Sequence, residues 1–184
     1  MRKALTPILA LMSVASASVF AQGVVTFANV GSGLNAPVTN SVTGQRLSGS
    51  GFLVQCYAGP ASSVEAALTP IGSSTTFATG LAAGYFDAGS ETNDFVLPGT
   101  TGTFQARAWT AGFATYEAAL AAAQIDPQVM VGTSSVFQNT TGISSPAILT
   151  GLQSFGIAPV SEPSSIGFLG CGIAAVLYHR RRRR

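Results

Sequence analysis

Short strand-like runs separated by turn residues constrain the fold of this chain more than any other feature of its sequence. The runs are rich in Val, Phe, Thr and Tyr and are bounded by Gly or Pro, which is typical of strands joined by tight turns. They cover residues 24–28, 52–57, 76–79, 94–97, 103–109 and 134–138. Strands do not alternate with long helices, and no internal repeat is present. The sequence therefore predicts a mostly β domain, an antiparallel β-sandwich of the jelly-roll or Ig-like kind.

Two further stretches predict one or two short helices in this domain. Ser62 and Glu65 have the spacing of a capping box, in which a Ser at the N-cap and a Glu three residues later bind each other's backbone N–H groups. An Ala-rich stretch at residues 116–124 follows Thr115, whose side chain can cap a helix, and Pro127 prevents its continuation. We expect both helices to connect strands at an edge of the sandwich.

The N-terminal end has the pattern of a signal peptide. Arg2 and Lys3 precede an apolar run at residues 5–14, and small or short residues end at Ala21. This order of a positive, an apolar and a small-residue region predicts a signal peptide over residues 1–21 that is delivered by the Sec translocon and cleaved between Ala21 and Gln22. Cleavage after Ala17 is the alternative.

The C-terminal end has the pattern of a membrane anchor. Residues 166–178 are uncharged and mostly apolar, and a helix over residues 164–179 would be about 24 Å long. Positive charge directly after an apolar span is retained on the cytoplasmic side, which would leave the body outside. That charge is supplied by five consecutive residues, Arg180, Arg181, Arg182, Arg183 and Arg184. A basic arm for nucleic acid is the less favoured alternative, because it would not need an apolar stretch before it.

Charge separates the two ends from the body of the chain. The whole chain has a net charge of +2, but between residues 22 and 161 only Arg46 and Arg107 face six acidic residues, which leaves −4. Nucleic-acid binding needs clustered Lys and Arg side chains that displace counterions. The body therefore has no nucleic acid among its expected partners.

The residues between the body and the apolar span resemble a known sorting motif. Ser161, Glu162, Pro163 and Ser164 are similar to a Pro-Glu-Pro-Ser sequence, with Ser161 in the place of the first proline. Together with the apolar span and the Arg cluster, residues 160–184 resemble the PEP-CTERM sorting signal of Gram-negative bacteria. This resemblance implies transient retention in the inner membrane and processing by an exosortase, a membrane-embedded cysteine transpeptidase. It also implies a destination at the cell surface or in the exopolysaccharide matrix.

The body, residues 22–159, resembles small PEP-CTERM proteins in three segments, at residues 22–29, 53–60 and 105–109. That family implies no particular activity. Catalytic side chains are also scarce, because the single histidine, His179, lies in the C-terminal segment and no Lys follows Lys3. A Ser-His or Cys-His pair therefore cannot form in the body. We expect no enzyme activity and no cofactor, and a two-carboxylate envelope hydrolase is the remaining enzyme alternative.

One group of oxygen-bearing side chains could hold a metal. Asp87, Glu91, Asn93 and Asp94 supply the ligand type that calcium prefers, but their spacing does not match an EF-hand loop. A polar turn between strands is the favoured interpretation, so no metal is predicted.

Cys56 alternates with Phe52 and Val54, which predicts a small buried hydrophobe on the apolar face of a strand. A disulfide with Cys171 is not expected, because Cys171 lies in the predicted membrane span.

Trp109 and Arg107 are candidate glycan contacts. Strand alternation puts them on one face with Gln105, which suggests an exposed polar and aromatic surface on which a sugar ring could stack. The favoured alternative is that Trp109 packs beneath a helix or at the sandwich edge. The sequence thus predicts an exported, non-catalytic protein of the cell surface or exopolysaccharide matrix, with a carbohydrate-binding module as the alternative.

Overall fold

The computed structural model describes residues 22–160. The predicted signal peptide up to Ala21, the sorting motif from Ser161 to Ser164, the apolar span and the terminal arginines lie outside the described residues. Their predicted roles stay predictions. Among residues 22–160, no helix is long and apolar enough to cross a membrane.

The described part of the chain is mostly β-structure with one α-helix, as the sequence predicts. The helix α1 spans Tyr116–Ala123, and two single 3-10 turns lie at Glu65–Ala67 and Gly80–Ala82. The strands are β1 (Gly23–Ala28), β2 (Val30–Gly31), β3 (Leu34–Asn35), β4 (Val38–Asn40), β5 (Gly49–Pro60), β6 (Thr69–Phe77), β7 (Asp87–Asn93), β8 (Thr101–Thr110), β9 (Met130–Thr133), β10 (Phe137–Thr140), β11 (Ala147–Ile148) and β12 (Phe155–Pro159).

These strands form a larger sheet, a smaller sheet and a separate two-stranded pair of β2 and β3. The larger sheet has the order β4-β12-β9-β8-β5-β6, with β10 also paired to β8, and the smaller has the order β11-β1-β7. The longest pairing in the larger sheet is the antiparallel pair β5 and β8. It runs from Phe52 opposite Thr110 to Pro60 opposite Gly102. Two pairs, β1 with β11 and β4 with β12, are parallel. The predicted antiparallel pairing thus holds for the other strand pairs but not for these two, because they join distant parts of the chain whose direction no local turn dictates.

Both sheets contribute side chains to one apolar core. Val54, Cys56 and Ala58 of β5 meet Val25 and Phe27 of β1 there, and all five are buried. Tyr57 of β5 and Trp109 of β8 point to the opposite face of the larger sheet, where α1 covers them and makes a second apolar cluster. The predicted alternation of β5, with Val54 and Cys56 on one face, is confirmed.

The predicted strands agree with the observed strands to different degrees. Those at residues 24–28, 52–57 and 103–109 lie within β1, β5 and β8, whereas those at 76–79 and 134–138 only overlap the ends of β6 and β10. The predicted strand at 94–97 is wrong, because the strand there, β7, ends at Asn93. Residues 94–97 were predicted as a strand because three of them are apolar. The real strand is mostly polar because it lies at the edge of its sheet, where side chains are wetter.

One of the two predicted caps is confirmed. Thr115 is the N-cap of α1, and its hydroxyl accepts a hydrogen bond from the Ala118 N–H at 3.2 Å. The capping box at Ser62 is wrong: Ser62 lies in a turn with φ of 62°, and the 3-10 turn begins at Glu65 after Val64, with no side-chain cap. The carboxylate of Glu65 instead accepts a hydrogen bond from the Gln105 amide at 2.8 Å, so it is not directed at the backbone before it.

Candidate functional site

A connected group of polar side chains lies on the outer face of β5 and β8, beneath α1. Arg107 is its centre, with a relative exposure of only 9%. Its Nε donates to Gln105 Oε1 at 2.9 Å, and its two terminal nitrogens donate to Glu117 Oε1 at 3.2 Å and to the Glu65 carbonyl at 3.0 Å. Because these partners lie on β8, α1 and the turn at Glu65–Ala67, one guanidinium fastens three elements together.

Two tyrosine rings complete this Arg107 cluster. The guanidinium carbon lies 4.0 Å from the centre of the Tyr57 ring and 5.3 Å from that of Tyr116, which are cation–π distances. The Tyr57 hydroxyl donates to Glu117 Oε2 at 3.0 Å. Burial, then the hydrogen bond to Glu117, raises the pKa of Tyr57 well above its usual value, and burial also raises the pKa of Tyr116. The guanidinium of Arg107, the amide of Gln105, the carboxylate of Glu117 and the hydroxyl of Tyr57 all have partners within the protein, so the cluster fixes structure.

The raised pKa of Tyr57 predicts a loss of stability in alkali. Above about pH 10 a tyrosine in the unfolded chain loses its proton, whereas Tyr57 in the folded chain keeps it. The unfolded state then binds fewer protons, so the free energy of unfolding falls as the pH rises. Tyr57→Phe is expected to make this fall shallower, as measured by urea unfolding at a series of pH values above 9. An equally steep fall in Tyr57→Phe would contradict the assignment.

The structure corrects the prediction of an exposed polar and aromatic face at Trp109 and Arg107. Trp109 has a relative exposure of 0%, and its indole N–H donates to the Phe113 carbonyl at 3.0 Å. Its ring packs edge-on against Tyr116 of α1, with centroids 6.3 Å apart. Alternation correctly puts Gln105, Arg107 and Trp109 on one face, but α1 covers it. The favoured alternative, that Trp109 packs beneath a helix, is confirmed, and neither side chain offers a surface to a glycan.

The acidic residues considered as a metal site do not form a polar turn. Asp87, Glu91 and Asn93 lie on strand β7, and Asn93 is buried with its Oδ1 accepting from the Phe95 N–H at 2.9 Å. Burial raises the pKa of Glu91, and the neighbouring Ser73 backbone N–H offsets part of that rise. No group of three His, Cys, Asp or Glu residues within the described part of the chain could hold a metal ion.

Cys56 lies in the core, as predicted, with a relative exposure of 1%. Burial, and next the negative charge of Glu91, raises the pKa of its thiol far above the usual value. A thiol that stays protonated is a poor nucleophile. Cys56 therefore packs as an apolar side chain. Cys171, with which no disulfide is expected, lies outside the described residues.

A groove of about 650 Å³ lies beside β6, the last strand of the larger sheet. We call it the β6 groove. Asn29 positions one wall, because its amide donates to the Gly84 carbonyl at 2.9 Å and accepts from the Phe86 N–H at 2.7 Å. Between those residues, Tyr85 is half-buried and donates its hydroxyl hydrogen to Asn35 Oδ1 at 2.7 Å. The lining includes Val30, Thr75, Phe77, Leu81, Tyr85 and Asp87.

The groove is a feature that strand and motif patterns did not reveal. Residues 66–86 contain no charged residue, but neither do residues 22–45 or 127–160, so charge did not single out the groove. Leu81 is fully exposed and Val30 is 48% exposed at the groove, so its rim is apolar. Exposed apolar residues gathered around a concave surface mark a place where another surface can dock.

Comparison with known proteins places this chain in no family: no family model matches it, and neither the curated proteins nor the solved structures contain a match. The fold and the geometry described above therefore define it as a mostly β protein with one helix and two sheets that share a core.

Proposed function

We propose that this chain is an exported, non-catalytic protein of the cell surface or exopolysaccharide matrix of a Gram-negative bacterium. The observation that carries the proposal is the order of the motif at Ser161 to Ser164, the apolar span and the five terminal arginines. In this proposal the Sec translocon delivers the chain, the apolar span holds it transiently in the inner membrane, and an exosortase-type transpeptidase processes it.

The chemistry of the motif fits recognition as an extended peptide. Pro163 fixes its own φ and biases Glu162 away from helical conformations, so the motif separates the body from the apolar span. The arginines keep the end of the chain on the cytoplasmic side. A transpeptidase in the membrane would then meet the motif at the outer surface of the bilayer.

The chemistry of the body supports a role without catalysis. The thiol of Cys56 is buried, and the carboxylates of Glu117 and Glu65 accept hydrogen bonds from Arg107, Tyr57 and Gln105. The carbohydrate-binding alternative depended on Trp109 and Arg107, which are both buried, and no described contact favours a hydrolase. We further propose that the two sheets form a β-sandwich of the jelly-roll or Ig-like kind, supported by the core that they share.

Mass spectrometry of the exported protein tests the sorting proposal. The full chain is expressed in its host, and the mass of the exported form is expected to correspond to a chain that starts at Gln22 and lacks Arg180 through Arg184. The double substitution Glu162→Ala and Pro163→Ala is expected to leave the arginines in place and the protein in the membrane fraction. Ser165→Ala, one residue beyond the motif, is the matched control and should be processed normally.

Two outcomes would overturn this proposal. One is exported protein that retains its five terminal arginines. The other is a motif variant that is processed as completely as the unchanged chain, since processing would then not read Glu162 and Pro163.

A further inference from the structure

The described chain ends at one particular end of the larger sheet. Pro159 of β12 lies opposite Met130 of β9, and the next residue of β9, Val131, lies opposite Trp109 near the end of β8. Val160 then packs against the apolar cluster beneath α1. The chain therefore leaves the body where β8 ends and β5 begins, and its last described residue is packed against the body there.

Several turns surround this point, and together they form what we call the exit end: residues 40–45, 78–82, 110–113 and 124–128. The first turn follows β4, which runs parallel to β12. The second follows β6, whose last residue, Phe77, lies opposite Gly49 at the start of β5. The third follows β8, and the fourth precedes β9.

An exposed apolar side chain projects from three of these turns. Leu81 is fully exposed, Ile125 is 85% exposed and Val42 is 71% exposed. The four turns contain one charged residue, Asp126. Exposed apolar side chains of this kind can enter the interface of a lipid bilayer, and few charges at this end would have to give up water for them to do so.

The opposite end of the body exposes apolar side chains as well. Ile143 is 81% exposed and lies against Gly99, just before β8, and Val64 is 70% exposed and follows the end of β5. Since β8 has ten residues, the two ends are about 30 Å apart. Exposure alone therefore does not decide which end contacts another surface.

The length of chain beyond Val160 selects the exit end. Five residues, 161–165, separate Val160 from the apolar span at residues 166–178. An extended chain covers about 3.5 Å per residue, so a span in the membrane keeps Val160 within about 20 Å of it. A short tether holds two surfaces at a high effective concentration, so weak contacts are enough to keep them together.

We propose that the exit end of the body rests on the membrane surface, with Val42, Leu81 and Ile125 in contact with lipid. The partner is the zone of the bilayer in which head groups meet acyl chains. The opposite end, with Ile143 and Val64, faces away from the membrane. This inference rests on the proposed function, because the apolar span supplies the tether.

Fluorescence quenching tests this contact on the membrane-bound chain, purified from its host and reconstituted in phosphatidylcholine vesicles. In a Cys171→Ser background, one cysteine is introduced by Val42→Cys, Leu81→Cys or Ile125→Cys and labelled with an environment-sensitive dye. Cys56 stays unlabelled because it is buried. Each of the three dyes is expected to emit at a shorter wavelength than a dye at the opposite end and to be quenched by lipids that carry a nitroxide.

Ile143→Cys and Val64→Cys are the matched controls, since these side chains are similarly apolar and exposed at the opposite end. Their dyes are expected to escape quenching. The double substitution Leu81→Asp and Ile125→Asp should reduce the quenching of a dye at residue 42, because charged side chains resist leaving water.

Two kinds of failure can be told apart, because extraction with alkaline carbonate measures membrane retention separately. A chain that resists extraction, but whose dyes at the two ends are quenched equally or not at all, would overturn the contact and leave the proposed retention standing. A chain that carbonate removes from the vesicles would overturn both the retention and the contact.

Discussion

Trp109→Ala is expected to lower the free energy of unfolding by about 3–5 kcal/mol, the usual cost of truncating a fully buried tryptophan. The ring of Trp109 fills the space between β8 and α1, and its N–H satisfies the Phe113 carbonyl. Since small domains are stable by only about 5–15 kcal/mol, this change would remove a large share of the total. Urea unfolding followed by circular dichroism measures the loss.

Two control variants separate packing from other effects. Trp109→Phe keeps an aromatic ring in the cluster but gives up the hydrogen bond, so its cost should lie between those of the unchanged chain and Trp109→Ala. Ile125→Ala removes an apolar side chain that is 85% exposed and should change stability by less than about 0.5 kcal/mol. If Trp109→Ala were as stable as Ile125→Ala, the burial of the indole beneath α1 would be contradicted.

This prediction also changes how a binding experiment should be designed. A Trp109→Ala protein that no longer retained polysaccharide would be losing its structure, because Trp109 has no exposed surface with which to touch a sugar. A test of glycan binding should instead alter a half-buried ring such as Tyr85, which lines the β6 groove.

Arg107→Met is expected to lower the free energy of unfolding by about 3 kcal/mol. A hydrogen bond from a charged donor contributes about 1.5–3 kcal/mol. Met leaves Gln105 Oε1 without its donor, and it leaves the Glu65 carbonyl with the Leu68 N–H alone. The bond to Glu117 adds little to this figure, because the side chain of Glu117 is 56% exposed and water can replace its partner. Urea unfolding at neutral pH measures the effect.

Arg107→Lys and Arg46→Met are the matched controls for this prediction. Lys keeps the charge, but its single ammonium group cannot reach three acceptors that lie in different directions. Arg107→Lys should therefore recover only part of the lost free energy of unfolding. Arg46 is exposed and lies over the ring of Tyr85 at 5.1 Å, so its loss should cost less than about 0.5 kcal/mol. An Arg107→Met protein as stable as the unchanged chain would show that apolar packing serves equally well at this position.

Sequence patterns predicted the parts of the fold that depend on residues close together in the sequence. The alternation in β5 and β8 gave both strands and the inward position of Cys56, and Thr115 gave the start of α1. The strand β7 was missed because it is an edge strand with few apolar residues. The parallel pairs were missed because they join residues that lie more than 100 positions apart.

The candidate site was also missed where it depends on contacts between residues far apart in the sequence. Alternation put Arg107 and Trp109 on one face of β8, but only the packing of α1 decides whether that face meets water or protein. The carbonyl that Arg107 binds belongs to Glu65, which is 42 positions away, and no local pattern links these two residues. The β6 groove likewise depends on Asn29 holding a segment 55 positions later in the chain.

The parallel pairs also determine the order in which the body can be completed. Val38 of β4 lies opposite Phe155 of β12, and Val25 of β1 lies opposite Ala147 of β11. A chain that is synthesised from its N-terminus must therefore wait for its last strands before either sheet has all its members. Pairings of such long range also form slowly, because a large loop has to close first. The topology thus keeps the body from finishing its fold until nearly all of its residues are available.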